Sequence, residues 1–189
     1  MVVKNYINNL IKKEKKQINE IFADEVFCKE VNIFSNRILE KIRSEKNIFI
    51  CGNGGSAANS DHMENDILLA SRRKKYNSKI YSLCSNVANI TRIGNDEDYS
   101  KIFSNQLNTK GNKGDLLIVL SASGNSLNII NALKLCRKNK IDTAGIIGCN
   151  GGKALNLIDF PVHVRSNDVQ TIENTQLIIT HILMKFIHN

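Results

Sequence analysis

The chain contains no tryptophan and only one proline among its 189 residues, and aromatic residues make up only 6% of it. With so little proline and only eleven glycines, a proline- and glycine-rich disordered chain is excluded. No stretch approaches the ~18 apolar residues that a membrane-spanning helix needs. The lysine-rich residues 1–17 also lack the unbroken apolar run of a signal peptide. We therefore expect a cytoplasmic protein that does not enter the membrane.

The cysteines do not occur in pairs that suggest a framework. There are five, an odd number, and none forms a CxxC motif. Neither a disulfide scaffold nor a zinc ribbon is therefore indicated. Most of the cysteines stand in apolar runs, where a cysteine usually behaves as a small buried hydrophobic residue. The positions are Cys28, Cys51, Cys84, Cys136 and Cys149.

Positive charge is in excess, with a formal net charge of +8. The lysines are scattered, and small clusters occur only at Lys12–Lys16 and Arg72–Lys75. No aromatic residues are interleaved with them to stack on bases, and no helix-turn-helix or RNA-binding motif is present. We therefore predict no nucleic-acid partner. A positive field would instead attract small anionic substrates.

The spacing of apolar residues predicts an α/β protein. Residues 1–46 repeat apolar positions at i, i+3 and i+4, which predicts a helical arm of two helices. After them, five short apolar runs alternate with helical stretches, at 47–51, 80–83, 116–120, 143–147 and 160–164. Short buried runs separated by helices favour a parallel sheet covered on both faces. We predict one domain over 1–189, with the arm at 1–46 and a three-layer αβα core of about five parallel strands at 47–189.

Two loops follow predicted strands and lead into helices. The first contains Gly52-Asn53-Gly54-Gly55-Ser56, and the second is Ser121-Ala122-Ser123-Gly124-Asn125-Ser126. Glycines allow tight turns and close approach to a ligand, and a helix start offers free N–H groups to an anion. Neither loop is a Walker A or a GxGxxG motif. Each alone could be a plain strand-to-helix connection, and Ser126 only a helix cap. Together, at the carboxyl edge of one sheet, they favour a phosphorylated ligand.

Two pairs of side chains are candidates for acid–base or metal chemistry. His62 and Asp66 are four positions apart, so they share one helix face. That spacing suits a shared metal ion or an acid–base pair, and equally a surface His–Asp pair. Glu173 and His181 lie on the last predicted helix, eight positions or roughly 12 Å apart. They could hold one ion only by reaching toward each other, or with different chains of an oligomer contributing. His181 could also be a satisfied core histidine.

GNGGSAA followed by SASGNS resembles the sugar isomerase, or SIS, domain family, whose members bind phosphorylated sugars with a Ser/Thr-rich loop. Within it the chain is most similar to phosphoheptose isomerases, which interconvert sedoheptulose 7-phosphate and D-glycero-D-manno-heptose 7-phosphate. The likeness extends from the helical arm through GNGGS, Gly94-Asn95-Asp96, SASGNS and Gly151-Gly152-Lys153 to the final histidine-bearing helix. It implies a flavodoxin-like fold, a homotetramer with active sites near subunit interfaces, and heptose supply for lipopolysaccharide or capsule.

The resemblance also implies roles for individual residues. Asp66 or Glu173 would be the catalytic base, with His181 as its acid–base partner. One divalent metal per subunit, commonly zinc, would be held by His62, Asp66, Glu173 and His181. The substrate would be bound by side chains and loop backbone at Asn53, Gly54, Gly55, Ser56, Asn95, Asp96, Ser121, Ala122, Ser123, Ser126 and Glu173.

Three positions depart from the family pattern. Asp66 stands where glutamate is usual, Glu173 where glutamine is usual, and Ala122 where threonine is frequent. The first two changes give the site one more negative charge, which should strengthen binding of a divalent cation. They also leave two other interpretations open: an isomerase of another sugar phosphate, such as an arabinose or hexulose phosphate, and a non-catalytic relative that binds the replication initiator DnaA. The retained acid–base residues argue against the second.

Overall fold

The protein is described by a computed structural model over residues 2–189. Over this range the chain forms seven α-helices, five β-strands and two short 3₁₀ turns at Tyr99–Lys101 and Leu155–Leu157. The helices are α1 Val2–Ala23, α2 Glu25–Arg43, α3 Gly55–Arg73, α4 Val87–Asp96, α5 Ile102–Lys110, α6 Leu127–Asn139 and α7 Val169–His188. The strands are β1 Asn47–Gly52, β2 Lys79–Ser82, β3 Leu116–Ser121, β4 Asp142–Ile147 and β5 Phe160–His163.

The five strands form one parallel sheet in the order β2-β1-β3-β4-β5. From β1 the chain first adds β2 on one side and then returns to place β3 on the other side. The boundary between β1 and β3 is therefore the switch point of the sheet, where ligands bind in folds of this class. The predicted three-layer αβα architecture with about five parallel strands is confirmed.

Helices cover both faces of the sheet, and the strands alternate between two apolar layers. Ile48 and Ile50 of β1 pack with buried residues of α2, α3 and α7. Phe49 and Cys51 of the same strand pack with buried residues of α5 and α6. Side chains alternate faces along a strand, and here both faces are buried, so each strand reads as an unbroken apolar run.

The two helices of the predicted arm differ in their packing. α2 begins at the N-cap Asp24, whose side chain accepts a hydrogen bond from Val26 N at 2.8 Å, and it buries Phe27, Phe34 and Ile38 in the core. α1 instead leaves a row of apolar side chains largely exposed: Val3, Tyr6, Ile7, Leu10 and Ile11. The division of the chain into an arm at 1–46 and a core at 47–189 stays a prediction, but α2 packs as part of the core layer.

α1 is joined to the start of α7 by polar contacts. Glu14 accepts hydrogen bonds from Thr171 Oγ1 at 3.2 Å and from Asn174 Nδ2 at 2.9 Å. Lys13 Nζ lies 3.4 Å from Asp168 Oδ2. Asp168 in turn caps α7 by accepting from the backbone amides of Gln170 and Thr171. These contacts position the helix that carries Glu173 and His181.

The cap at Asp168 predicts a pH-dependent contribution to stability. The hydrogen bond from Thr171 N, together with Lys13, lowers the pKa of Asp168 below its usual value. A lowered pKa stabilises the fold above the unfolded pKa of about 3.9, and this contribution is lost as the pH falls through the folded pKa. We expect Asp168→Asn, which keeps a capping oxygen, to destabilise the protein at pH 7 but not in acid. Urea unfolding midpoints measured across this range test the expectation.

The control for this experiment is Asp168→Ala, which also removes the capping oxygen and should therefore be about 1 kcal/mol less stable than Asp168→Asn at every pH. A gap between the wild type and Asp168→Asn that stays constant with pH would contradict the assignment.

All five cysteines are free. Cys51 and Cys136 are buried, Cys84 and Cys149 are partly buried, and Cys28 is exposed. Burial, with a smaller effect of the Asp159 charge, raises the pKa of Cys136 to about 12. The buried thiols therefore stay protonated and behave as small apolar residues. No helix of residues 2–189 has the length and apolar character needed to cross a bilayer.

Candidate active site

The first loop, Gly52–Ser56, and the second loop, Ser121–Ser126, lie side by side at the carboxyl edge of the sheet. β1 and β3 are hydrogen-bonded neighbours, with Gly52 paired to Leu120. Each loop runs directly into a helix, α3 from Gly55 and α6 from Leu127. Two helix N-termini thus start beside each other at the switch point, and their free N–H groups make this edge favourable for an anion.

The second loop is shaped by its own serines. Ser121 Oγ accepts from Gly124 N at 3.0 Å, and Ser123 Oγ accepts from Asn125 N at 3.2 Å. Gly124 has φ +64, and a Cβ added there would overlap the carbonyl oxygen of Gly151. Ser126 occupies the N-cap position of α6, yet its side chain makes no capping hydrogen bond. The interpretation of Ser126 as only a helix cap is therefore not supported, and its hydroxyl is free to contact a ligand.

The Gly151-Gly152-Lys153 segment and the following Ala154 donate backbone hydrogen bonds to the second loop. Lys153 N donates to Asn125 Oδ1 at 3.1 Å, and Ala154 N donates to the Gly124 carbonyl at 2.9 Å. The sequence motif thus has a structural role, because these bonds hold the second loop in its turn.

Three of the predicted acid–base residues come together between α3 and α7. His62 Nε2 lies 3.3 Å from Asp66 Oδ2 and 3.2 Å from His181 Nε2, and His181 Nε2 lies 3.8 Å from Asp66 Oδ2. The Asp66 side chain is 10% exposed, whereas the two histidine side chains are 44% and 47% exposed. The group, called here the His–Asp–His cluster, is therefore neither a surface His–Asp pair nor a core histidine.

The donor set of this cluster fits a divalent cation. One ligand atom from each residue lies within 4.8 Å of the others. Asp66 Oδ2 is buried, and among the described residues it has no hydrogen-bond partner. An unpaired buried carboxylate oxygen is costly, and it is the oxygen that faces the two imidazole nitrogens. Two imidazoles and one carboxylate form a ligand set that suits zinc, and three protein ligands leave a coordination position open.

The other acids on α3 lie outside the cluster. Asp61 is exposed. The Glu64 carboxylate accepts from Ser82 N at 2.8 Å at the end of β2, and burial raises the pKa of Glu64. The sequence Asp61-His62-Met63-Glu64-Asn65-Asp66 therefore presents three acids, of which only Asp66 faces His62 and His181.

Glu173 is not part of the His–Asp–His cluster. Its carboxylate lies against Gly55, where an added Cβ would overlap it. Its backbone carbonyl accepts from Asn59 Nδ2 at 3.0 Å, and Asn59 Nδ2 also lies 3.1 Å from Gln176 Oε1. Within one chain, Glu173 therefore lies beside the first loop. Along the axis of α7 it is about 12 Å from His181. Its predicted role toward the substrate stays open, and a role as metal ligand would need a second chain.

The remaining predicted residues lie at the end of α4, at the start of α3 and in the second loop. Asn95 and Asp96 are exposed at the end of α4, and Asn95 Nδ2 donates to Asp96 Oδ1 at 2.8 Å. A Cβ added at Gly94 would come within 4.0 Å of the Tyr99 ring, and Tyr99 reaches the first loop at Asn53. Ser56 is buried at the start of α3, and Ala122 is partly exposed in the second loop. The roles of these residues in binding substrate remain predictions.

Sequence reasoning missed Asn128 and Tyr99. Asn128 Nδ2 donates to Asn53 Oδ1 at 2.9 Å, and the Tyr99 hydroxyl donates to the same oxygen at 3.0 Å. The only signal for Asn128 was a polar residue at an otherwise apolar helix start, two positions beyond SASGNS. For Tyr99 there was no signal, since its contact spans 46 positions.

Comparison with known proteins places these features in a family. The SIS domain family model matches residues 3–148. The phosphoheptose isomerase of Clostridium acetobutylicum is 33% identical over 181 residues, covering 96% of this chain and 92% of that protein. The phosphoheptose isomerase of Aliarcobacter butzleri is 36% identical over 151 residues, covering 80% of each.

A solved structure agrees in fold. The phosphoheptose isomerase from Francisella tularensis superposes with a TM-score of 0.89 at 24% identity, over 99% of this chain and 98% of that one. This likeness supports the fold alone. From the family model and the curated relatives, the chain belongs to the SIS domain family, in the group of the phosphoheptose isomerases.

Proposed function

We propose that the protein is a phosphoheptose isomerase, which interconverts sedoheptulose 7-phosphate and D-glycero-D-manno-heptose 7-phosphate. The main support for the proposal is the convergence of His62, Asp66 and His181 on two helices that both start at the carboxyl edge of the sheet. Phosphate-type loops stand at the same edge. The names of relatives that match almost the full chain support the same substrate.

The phosphate group binds at the second loop. Ser126 offers an uncommitted hydroxyl, and the N-terminus of α6 offers backbone N–H groups and the positive end of its dipole. Ser121 and Ser123 accept hydrogen bonds from the loop backbone through their oxygens, so each hydroxyl hydrogen can still be donated to a phosphate oxygen. No lysine or metal is needed to hold the anion.

Isomerisation moves a proton between C1 and C2 through a cis-enediol. It needs a base at carbon, an acid–base group at the two oxygens, and stabilisation of the developing oxyanion. Asp66 Oδ2 is free of hydrogen bonds among the described residues, so its lone pairs can take the carbon proton. Without a metal, His181 Nε2, 3.8 Å from Asp66 Oδ2, moves the proton between the oxygens. If Asp66 is engaged as a metal ligand, Glu173 is the carboxylate left to act as base.

One divalent cation per subunit, proposed to be zinc, would be held by His62, Asp66 and His181. When bound, it would polarise the substrate carbonyl and stabilise the oxyanion. His62 then serves as a ligand and keeps the substrate oriented, while His181 Nδ1 remains available for a partner that fixes its ring.

A homotetramer with active sites near its subunit interfaces is part of the proposal. The α1 row of exposed apolar residues is an unpartnered face, and Leu68, Leu69 and Ile182 are exposed on the two helices that carry the cluster. A neighbouring subunit packed on these residues would shield the half-exposed histidines from water. The proposal further sets the reaction in the cytoplasm, as a supply of heptose for lipopolysaccharide or capsule.

The test is incubation of the purified protein with sedoheptulose 7-phosphate, with zinc added or with a chelator, while NMR follows formation of the aldose. Turnover that the chelator abolishes and zinc restores is the expected result. Turnover that is indifferent to the chelator would support direct acid–base chemistry without a metal. Absence of turnover under every condition would overturn the function.

A second candidate function is isomerisation of another sugar phosphate. The shorter acid at Asp66 and the negative charge that Glu173 brings to Gly55 both alter the space and charge available to the sugar. The same NMR assay with arabinose 5-phosphate and with a hexulose phosphate discriminates the two candidates by comparing kcat/KM. A non-catalytic protein would leave all three sugars unchanged, even where it binds them.

A further inference from the structure

Two asparagine amides close a hydrogen-bonded ring between the two loops. Asn53 Nδ2 donates to Asn128 Oδ1, and Asn128 Nδ2 donates back to Asn53 Oδ1, both at 2.9 Å. Asn53 lies in the first loop, and Asn128 lies in the first turn of α6, two residues beyond the second loop. Asn128 is 2% exposed, and its Oδ1 also accepts from Ile129 N at 2.9 Å, so its orientation is well determined.

A third segment joins this ring. The Tyr99 hydroxyl donates to Asn53 Oδ1 at 3.0 Å, although the tyrosine itself is 58% exposed. The 3₁₀ turn that carries Tyr99 is attached to α6 by Asn131, whose Nδ2 donates to the Ser100 carbonyl at 3.1 Å. The first loop, the start of α6 and the 3₁₀ turn Tyr99–Lys101 therefore meet at the side chain of Asn53.

These bonds use most of the capacity of the Asn53 amide. Its oxygen accepts from both Asn128 and Tyr99, and one of its two N–H groups donates to Asn128, which leaves a single N–H for a ligand. We propose, on the basis of the proposed isomerase function, that Asn128 and Tyr99 are positioning residues. They hold Asn53, and through it they fix the separation between the first loop and the phosphate-binding second loop.

This separation matters because one substrate must reach both parts of the site. The phosphate is held at the second loop, while the reacting carbons must meet groups carried by α3, which begins at the first loop. A displacement of about 1 Å in such a site can cost about 100-fold in rate. The hydrogen bonds at Asn53 are side-chain contacts that oppose such a displacement between the two loops.

The test compares Asn128→Asp and Tyr99→Phe with Asn131→Asp as the matched control. Asn128→Asp keeps the size of the side chain, but either orientation of the Asn53 amide then leaves its oxygen facing a carboxylate oxygen. Asn131→Asp makes the same substitution on the same helix and disturbs a bond to the same 3₁₀ turn, without touching Asn53. Three quantities are measured: the thermal midpoint, kcat and KM for sedoheptulose 7-phosphate, and the shift of the midpoint that this substrate causes, which requires no turnover.

We expect Asn128→Asp to lower kcat/KM about 10- to 100-fold and to reduce the substrate-induced shift. Tyr99→Phe should lower kcat/KM about three- to tenfold, with the thermal midpoint unchanged because the hydroxyl lies at the surface. In the double variant, the loss of kcat/KM should be smaller than the product of the two single losses, because both hydrogen bonds end on the same Asn53 oxygen. Asn131→Asp should lower the midpoint and should lower kcat/KM no more than Tyr99→Phe does, because it can act on Asn53 only through the 3₁₀ turn that carries Tyr99.

The proposal is wrong if Asn128→Asp and Asn131→Asp lower the midpoint alike and both leave kcat/KM and the substrate shift unchanged. If Asn128→Asp does not fold, the Tyr99→Phe variant tests the proposal by itself. An unchanged kcat/KM in Tyr99→Phe would then show that the proposed positioning role is wrong. If the wild type binds the substrate without turning it over, the proposed isomerase function is wrong. The positioning role is then judged by the substrate shift alone.

Discussion

Replacing Asp66 with Asn is expected to lower isomerase kcat about 10²- to 10⁴-fold and to abolish tight binding of a divalent cation. Asp66 supplies the only carboxylate of the His–Asp–His cluster, and its Oδ2 lies 3.3 Å from His62 Nε2 in a buried position. An amide is neutral, is a weak metal ligand and cannot take a proton from carbon. The measurements are NMR turnover of sedoheptulose 7-phosphate and the visible absorption of added cobalt(II), which reports its ligands without catalysis.

Two variants serve as controls for Asp66→Asn. Asp61→Asn removes an exposed carboxylate from the same helix and should leave both kcat and the cobalt spectrum unchanged. Glu173→Gln should keep the cobalt spectrum if the ligands come from one chain, because the Glu173 carboxylate lies at Gly55. An Asp66→Asn protein that retains full turnover would contradict the assignment of Asp66. A cobalt spectrum that changes in Glu173→Gln would instead mean that Glu173 of another subunit is a ligand.

Replacing Gly124 with Ala is expected to destabilise the protein by at least about 2 kcal/mol and to raise KM for the sugar phosphate. Gly124 has φ +64, which disfavours a side chain, and the new Cβ would overlap the Gly151 carbonyl oxygen, a backbone atom that cannot turn away. The second loop must then open, which separates Ser121 and Ser123 from the amides that they accept from. Urea unfolding and the KM for sedoheptulose 7-phosphate measure the two effects.

The matched control is Gly94→Ala. Gly94 lies within α4 with no backbone strain, and its added Cβ would meet only the Tyr99 ring, at 4.0 Å. Alanine at a helical position is about 0.5–1 kcal/mol better than glycine, so this variant should be more stable than the wild type. The two glycine-to-alanine changes are thus expected to have opposite signs. An unfolding midpoint of Gly124→Ala equal to that of the wild type would refute the role assigned to Gly124.

The α/β class was predictable because the strands are buried on both faces. A strand such as Leu116–Ser121, with every residue buried, must read as an unbroken apolar run, and such runs alternating with helices imply parallel pairing. The position of both loops at one edge followed from the same reasoning, since the carboxyl ends of parallel strands lie together. The order of the strands did not follow, because it depends on the side of β1 to which each crossover returns.

The candidate site was predictable only in part. Helix periodicity is local, so four positions between His62 and Asp66 were enough to place them on one face of α3. The sequence alone could not say that His181 joins them or that Glu173 does not. Which residue of α7 joins the cluster depends on how α7 is aligned along α3. In the fold, Glu173 lies beside the start of α3, and His181 lies beside His62 and Asp66.

Local patterns along the chain were thus enough to define the layers of this protein, its two loops and the shared helix face of His62 and Asp66, whereas the predicted acid–base roles came from the family resemblance. These features follow from burial, turn chemistry and helix periodicity, which act over a few neighbouring residues. Which side chains meet became clear only from the packed fold. Asn53 meets Tyr99 and Asn128, and His62 meets His181, across separations of 46 to 119 positions. Such contacts depend on how the helices are placed on the sheet and along one another. No local pattern in the sequence determines that placement.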